Sequence, residues 1–341
     1  MNKETILKEL EKVSYPGLDR SIIDLKIVDD IVEEDGRPLL VLSMQNDEAY
    51  EILRERLQDL FDGKVTIKRK KIAQKKDIHY GHTSSPNNRA PYAKRVVAVT
   101  SGKGGVGKST VSVNLAVALA QKGFKVGLLD ADVYGPNIPR MLGTAHETLR
   151  WGNNDKIIPS ENFGIKIMSV GLTTPTPDTP LVWRSSVAVS ALIQFLEDVD
   201  WGKLDFLVID MPPGTGDIQL TMAQELPITA GIIVTTPQPV ALDDVSRAIM
   251  MFKDINVPIG GLVENMSFFI APDTGRRYDI FGTGGGETTA KKYDIPFLGQ
   301  IPLDMQIREY SDNGTPPVAM GDDSQKRYYK TVADRLLEQI L

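Results

Sequence analysis

The chain has 341 residues, 41% hydrophobic and 25% charged, enough for about two packed domains of roughly 150 residues each. Its net charge of −6 argues against a surface that is one continuous nucleic-acid footprint. It has no cysteine, which excludes disulfides, thiolate metal sites and thiol catalysis.

Residues 1–78 read as a small α/β domain. The start "MNKETILKEL" is charged and lacks the apolar stretch of a secretion signal. No apolar run approaches the ~18 residues that span a bilayer. A cytoplasmic protein without membrane contact is expected. "NKETILKELEKV" places Ile6, Leu7, Leu10 and Val13 on one helical face, and "SYPGL" breaks that helix at Pro16 and Gly17. "SIIDLKIVDDIVEEDGRPLLVLSM" reads as short strands around a turn at Asp35-Gly36. "NDEAYEILRERLQDLF" is a second helix, with Asn46 as N-cap and Ala49, Leu53, Leu57 and Leu60 as its buried stripe.

A linker follows over 79–93, where "YGHTSSPNNRAP" is rich in Gly, Ser, Pro and Asn. Just before it, "KRKKIAQKK" (Lys68 to Lys76) is a basic run that reads as a solvated strand end and linker. Contact with nucleic acid or an acidic partner is the alternative. The run is short and the chain acidic, so a nucleic-acid partner is not expected. His79 and His82 lie in this linker and His146 stands alone, so no histidine metal site is expected.

From residue 94 to 341 the pattern changes. The runs "VVAVTS", "KVGLLDAD", "GIKIMSV", "FLVIDMPP", "GIIVTTP", "PIGGLVEN" and "PFLGQIP" read as buried strands, most of them separated by helices. Continuous Val/Ile/Leu strands alternating with helices predict an α/β domain: a mostly parallel sheet covered by helices on both faces. "SQKRYYKTVADRLLEQIL" closes the chain as a helix with Tyr329, Val332, Leu336 and Ile340 inward.

"VVAVTSGKGGVGKSTVSVNLAVALA" carries the strongest chemical signal. Gly102-Lys103-Gly104-Gly105-Val106-Gly107-Lys108-Ser109 fits G-x-x-x-x-G-K-[ST] between a predicted strand and a predicted helix. Glycines let backbone N–H groups turn inward around phosphates, and the helix N-terminus favours the anion. Lys108 reaches the β and γ phosphates, and Ser109 can ligate Mg²⁺. The loop from Gly102 to Thr110 is the expected nucleotide-binding segment. Lys103 is an extra lysine that cannot easily fold back into its own cradle. It is read as a cation supplied across a dimer interface, or else as a solvated loop lysine.

"FLVIDMPPGTGD" ends a strand at Asp210, an aspartate able to hold the Mg²⁺ shell, and runs on into a turn through Asp217 that could sense the γ-phosphate. "VGLLDADVYGPN" ends another at Asp130 and Asp132. Carboxylates at strand ends can be helix caps. For Asp132 a role in positioning water or assisting Mg²⁺ is favoured, because the C-terminal ends of the strands form the ligand crevice of open α/β sheets.

Together, "SGKGGVGKST", "DADVYGPN", "VIDMPPGTGD" and "ENMSFF…YDIFGTGGG" resemble the Mrp-type ATPases, iron–sulfur cluster carriers with a deviant Walker A loop. The resemblance covers about 93–341, and "GLDRSIIDLKIVDDI" is similar to the MIP18-like small domain that precedes the ATPase in many bacterial members. It implies a phosphate-loop NTPase fold, Mg²⁺-dependent ATP hydrolysis, and a homodimer with nucleotide near its interface. It also implies iron–sulfur scaffold or apo-protein partners. Lys103 matches the signature lysine that contacts the neighbour's nucleotide. Asp132 and Asp217 match the two switch aspartates. Asn265, in "VENMS", matches the asparagine that reads the adenine edge.

Most members carry a Cys-x-x-Cys pair just after this asparagine, two pairs holding a bridging [4Fe–4S] cluster. Here those positions are Ala271 and Thr274. Alanine has no donor atom and a neutral hydroxyl is a poor partner for a cluster favouring thiolate. A cluster held at the usual site is therefore not expected. The nearby "FGTGGGE" (Phe281 to Glu287) reads as the start of a helix, with an anion-binding nest as the alternative. Two functions stand side by side: an ATP-hydrolysing protein of cluster assembly or transfer, and a nucleotide-dependent dimeric switch that recruits a protein or DNA partner without carrying a cluster.

Overall fold

The computed structural model describes residues 3–14, 16, 21–23, 27–34, 37–43, 47–70, 88–152, 155–173 and 185–341. The break at Gly17, the turn at Asp35-Gly36, the cap at Asn46, His79, His82, Lys71 to Lys76 and most of the linker lie outside these. The chain forms two compact units, 1–83 and 84–341.

The first unit contains α1 (Lys3–Leu10), β1 (Val28–Glu34), β2 (Arg37–Ser43), α2 (Asp47–Leu60) and β3 (Thr66–Lys70). Its sheet runs β1-β2-β3, with β1 antiparallel and β3 parallel to β2. Ile6 and Leu10, one helical turn apart, enter a core with Leu40, Leu42, Leu53, Leu57 and Phe61. Two stripe assignments need correction. Leu7 is exposed, because in an eight-residue helix the row from Ile6 to Leu10 alone meets the sheet. Leu60 is 42% exposed, because the Leu53–Leu57 row continues four residues on, to Phe61 just past the helix end. The start of the basic run is the strand β3. Lys68 pairs with Glu34 at 2.6 Å and Lys70 with Asp29 at 2.7 Å, reaching past β2 to β1 on the exposed face. Such lysines contribute little stability but discourage strand addition at an edge.

The second unit runs β4 (Ala93–Ser101), α3 (Lys108–Gln121), β5 (Val126–Asp130) and a short α4 (Ile138–Met141). Three brief strands follow: β6 (Arg150–Trp151), β7 (Ile157–Ile158) and β8 (Ser160–Asn162). Then come β9 (Ile165–Ser169), α5 (Ser185–Asp198), β10 (Leu204–Asp210), α6 (Asp217–Glu225), β11 (Ile228–Thr235), α7 (Pro239–Asp254) and β12 (Ile259–Glu264). A hairpin of β13 (Phe269–Ile270) and β14 (Arg277–Tyr278) leads to α8 (Gly285–Tyr293) and β15 (Phe297–Gln300). The chain closes with α9 (Met305–Asp312), α10 (Pro317–Met320) and α11 (Asp323–Ile340).

The main sheet is ordered β15-β12-β11-β4-β10-β5-β9-β8. Its first seven strands are mutually parallel and are the seven runs read as strands from the sequence. The eighth, β8, is antiparallel to β9 and covers that edge. Alternation along the strands divides the core. Val96, Ala98, Leu207 and Ile209 face α5, α6 and α7, while Val97, Val99, Phe206 and Val208 face α3 and α11. The α/β architecture with helices on both faces follows from strands that are apolar on both sides. α11 is fastened by a capping box: the Gln325 N–H donates to Asp322 Oδ1 at 2.9 Å, and the Asp322 N–H donates to Gln325 Oε1 at 3.1 Å.

Candidate functional site

Parallel strands place their C-terminal ends together, and β4, β5 and β10 lie side by side at the centre of the sheet. The loop Gly102–Gly107 leaves β4 there and opens α3, which begins at Lys108. Gly105 and Gly107 take φ of 80° and 82°, the left-handed region. Gly107 is also packed tightly: a Cβ there would stand 2.1 Å from Asn265 Nδ2. A Cβ on Gly102 would meet the Asp244 backbone at 2.4 Å. The glycines serve both to turn the loop and to admit its neighbours.

Lys108 is 6% exposed and lies among three carboxylates. Its Nζ is 2.8 Å from Asp210 Oδ2 at the end of β10 and 3.8 Å from Asp132 Oδ2 beyond β5. Ser109 Oγ donates to Asp210 Oδ2 at 2.6 Å, and Ser112 Oγ donates to Asp210 Oδ1, also at 2.6 Å. Asp130 is fully buried at the end of β5. Its Oδ1 accepts the Asp132 N–H at 3.2 Å, while Oδ2 accepts from Ser169 Oγ at 2.9 Å and the Ile138 N–H at 3.3 Å. Asp130 thus ties both ends of the segment that carries Asp132. Burial, reinforced by the neighbouring Asp210 charge and opposed by Lys108, pushes the Asp130 carboxyl up to about 7. Burial also raises Asp132, with Lys108 working against it.

Even with Asp130 protonated, Asp210 and Asp132 around one ammonium leave an excess of negative charge that suits a divalent cation. The donors offered to it, the Ser109 hydroxyl and the Asp210 carboxylate, are hard oxygens of the kind Mg²⁺ prefers. Among the described residues no cluster of three or more His, Cys, Asp or Glu could hold a metal ion by itself. The site fits a Mg²⁺ that arrives with phosphate oxygens completing its shell.

The structure brings Lys108, Ser109, Asp210 and Asp132 together. Thr110 follows in the first turn of α3, with its carbonyl accepting from Asn114 Nδ2 at 2.8 Å. Val106 is buried, and its carbonyl accepts from Asn265 Nδ2 at 2.8 Å, which ties the loop to the end of β12. Gly104 and Gly105 are exposed at the loop's crest. Lys103 is half-buried, and among the described residues its ammonium forms no ion pair. Asp217 is exposed at the first residue of α6 and forms no ion pair with Lys108. Sequence reasoning missed Ser112, Gln219 and Glu264. Buried Gln219 donates to Thr100 Oγ1 at 3.2 Å and to the Pro212 carbonyl, fastening the turn before α6 to β4. Nothing in the pattern of "DIQLTMA" marks it.

Glu264, fully buried at the end of β12, accepts from Ser267 Oγ, from Gln300 Nε2 at 2.9 Å and from the Gly286 N–H. The glycine loop is therefore the start of α8, and its N-terminal N–H is taken by an internal carboxylate. The signal was a lone acid ending an apolar strand in "GLVEN".

The hairpin β13–β14 carries the two positions where thiolates were missing. The Ala271 N–H donates to the Arg276 carbonyl at 2.9 Å and the Gly275 N–H to the Ala271 carbonyl at 2.8 Å. Thr274 is exposed, and its Oγ1 lies 3.4 Å from Asp273 Oδ1. The Arg277 guanidinium sits 4.2 Å from the centre of the Phe268 ring. A methyl group and an exposed hydroxyl do not fit a cluster.

A family profile described as "ParA: NUBPL iron-transfer P-loop NTPase" matches residues 92–337. The chain is 40% identical over 334 residues to an iron-sulfur cluster carrier protein of Synechocystis, spanning 95% of this chain and 93% of that one. It is 50% identical over 237 residues to one from Aquifex aeolicus, covering 70% of this chain but 65% of the other, under two thirds of its length. Among solved structures, a nucleotide-binding protein of Archaeoglobus fulgidus in complex with ADP aligns with a TM-score of 0.62 and 37% identity, over 71% of this chain and 94% of that one. The septum site-determining protein MinD of Pyrococcus horikoshii, complexed with Mg-ADP, aligns with a TM-score of 0.52 and 25% identity, over 71% and 95%.

Proposed function

Because the chain belongs to the family of NUBPL-type iron-transfer P-loop NTPases, we propose that it is a Mg²⁺-dependent ATPase acting in iron–sulfur cluster assembly or transfer. The observation that carries this reading is the convergence of Lys108, Ser109, Asp210 and Asp132 at the end of a glycine loop. On nucleotide binding, Lys108 exchanges Asp210 for the β and γ phosphates, and Ser109 turns its hydroxyl from Asp210 to the metal. A Mg²⁺ held by Ser109 and Asp210 would supply neutralisation of the phosphate charge. Asp132 then accepts a hydrogen bond from the attacking water. The water oxygen bonds to the γ phosphorus as the bond to the bridging oxygen breaks, and ADP leaves.

We read the protein as a cytoplasmic homodimer in which Lys103 reaches the partner's nucleotide. The supporting observation is a half-buried lysine on the loop with no carboxylate partner among the described residues. In this reading Asn265 meets the base, Asp217 follows the γ-phosphate, and residues 1–78 serve as a MIP18-like accessory domain joined by the linker over 79–93. The test is phosphate release by wild type and by Lys108→Ala. Wild-type turnover in the variant would remove the phosphate-loop assignment.

A second reading is favoured by the hairpin, which carries Ala271 and Thr274, neither of them a thiolate donor. In it the ATPase is a dimeric switch that recruits a protein or DNA partner and holds no cluster itself. Iron and acid-labile sulfide per dimer after anaerobic reconstitution separates the two. A stoichiometric cluster favours carriage through donors from outside the hairpin. No cluster, with hydrolysis intact, favours the switch.

A further inference from the structure

α3 is apolar along most of its buried length, with Val111, Val113, Leu115, Ala116 and Val117 in the core. Ser112 sits among them at 0% exposure. A serine inside a helix competes with the backbone, and a buried hydroxyl needs a partner. It has two within reach: its own helix's Lys108 carbonyl at 3.1 Å and Asp210 Oδ1 at 2.6 Å. The hydroxyl carries one proton, and the shorter contact, to an ionised acceptor, is the stronger.

Asp210 has three donors among the described residues. Lys108 and Ser109 both address Oδ2, and Ser112 addresses Oδ1. In the proposed reaction the first two leave for the phosphates and the metal. Ser112 alone has no ligand to turn to, because it lies one helical turn deeper. From this we infer that Ser112 is a positioning residue for the magnesium site: it keeps hold of Asp210 Oδ1 and fixes the carboxylate plane so that Oδ2 faces the metal's shell. A carboxylate held on one oxygen presents the other without losing rotational freedom on binding. Partners of this kind commonly set metal affinity by about 10- to 100-fold. The inference rests on the proposed Mg²⁺-dependent nucleotide site, and deepens it.

The experiment is equilibrium binding of a fluorescent ADP analogue to the full chain, titrated with Mg²⁺ and repeated in EDTA. Ser112→Ala is expected to leave binding in EDTA unchanged and to raise the Mg²⁺ concentration at half-saturation by about 10-fold or more. Ser112→Cys, close in shape with a weaker donor, is expected to fall between alanine and wild type. It also serves as the test variant should the alanine form fail to fold. An unaltered Mg²⁺ requirement in a folded variant would overturn the assignment. So would an equal loss of binding in EDTA and in Mg²⁺, since that marks a general packing role. If wild type itself shows no Mg²⁺ dependence, the magnesium-site reading fails and the role of Ser112 falls with it, an outcome told apart by the control alone.

Discussion

Lys108 is held by Asp210 at 2.8 Å and by Asp132 at 3.8 Å, so its loss removes both a phosphate ligand and the charge that balances buried acids. Lys108→Ala is expected to abolish hydrolysis and also to lower thermal stability, because an acid left without its partner is costly. Lys103 has no such structural duty. Lys103→Ala is expected to weaken hydrolysis while leaving the melting temperature within a degree or two of wild type (about 0.5 kcal/mol or less for a surface change). Comparing the two melting curves with the two rates checks both statements. Asp130 adds a pH signature. Its carboxyl, raised to about 7 by burial, holds a proton in the folded chain that the unfolded chain gives up near its ordinary value of 3.8. Between those values the folded state binds more protons, so stability falls as pH rises through about 7. Melting of metal-free wild type is expected to show that fall, and Asp130→Asn to flatten it. The loop from Gly102 to Ser109 was legible as a strand-to-helix turn because a phosphate cradle needs fixed residue types at fixed spacing. Ser112 and Gln219 were not, since their meaning lies in partners about a hundred residues away.

Among the elements, the seven parallel strands could be read from the chain because strands covered on both faces must be apolar throughout. β8 could not: it is three residues long, "SEN", and pairs only because β9 offers an edge. The apolar stripes of α1 and α2 were each misread at one residue, Leu7 and Leu60, for a related reason, as the side chains a helix buries are decided by what it meets. The hairpin β13–β14 is the element with the most to test. Its backbone bonds from Ala271 to Arg276 and from Gly275 to Ala271 involve no side chain, so new side chains at 271 and 274 leave them intact. The double variant Ala271→Cys, Thr274→Cys is expected to take up iron and acid-labile sulfide on anaerobic reconstitution where wild type takes up none. Its absorbance spectrum and sulfide content are the measurements. Failure of the double variant would mean that the hairpin has changed in shape as well as in ligands. α11 offers a simpler check: Asp322→Ala removes the capping box and is expected to cost about 1 kcal/mol, read by denaturant unfolding.

At the scale of the molecule, the two units have separate cores, one confined to residues 1–70 and two on the faces of the large sheet. A fragment over 84–341 is therefore expected to melt as one cooperative transition and to retain nucleotide binding, checked by calorimetry with and without ADP. The length of the chain suggested about two domains, but not which residues of the basic run form a strand; that followed only from the pairing of β3 with β2. The tie between Asn265 and the Val106 carbonyl has a longer reach than its 2.8 Å. It joins the crook of the phosphate loop to the first residue after β12, and four residues further on begins the hairpin. The engine and the implement share a single short rod. Whatever the hairpin engages can thereby be felt at the phosphate loop through one short segment, and this chain has that segment in place beside a hairpin tip bearing Ala271 and Thr274.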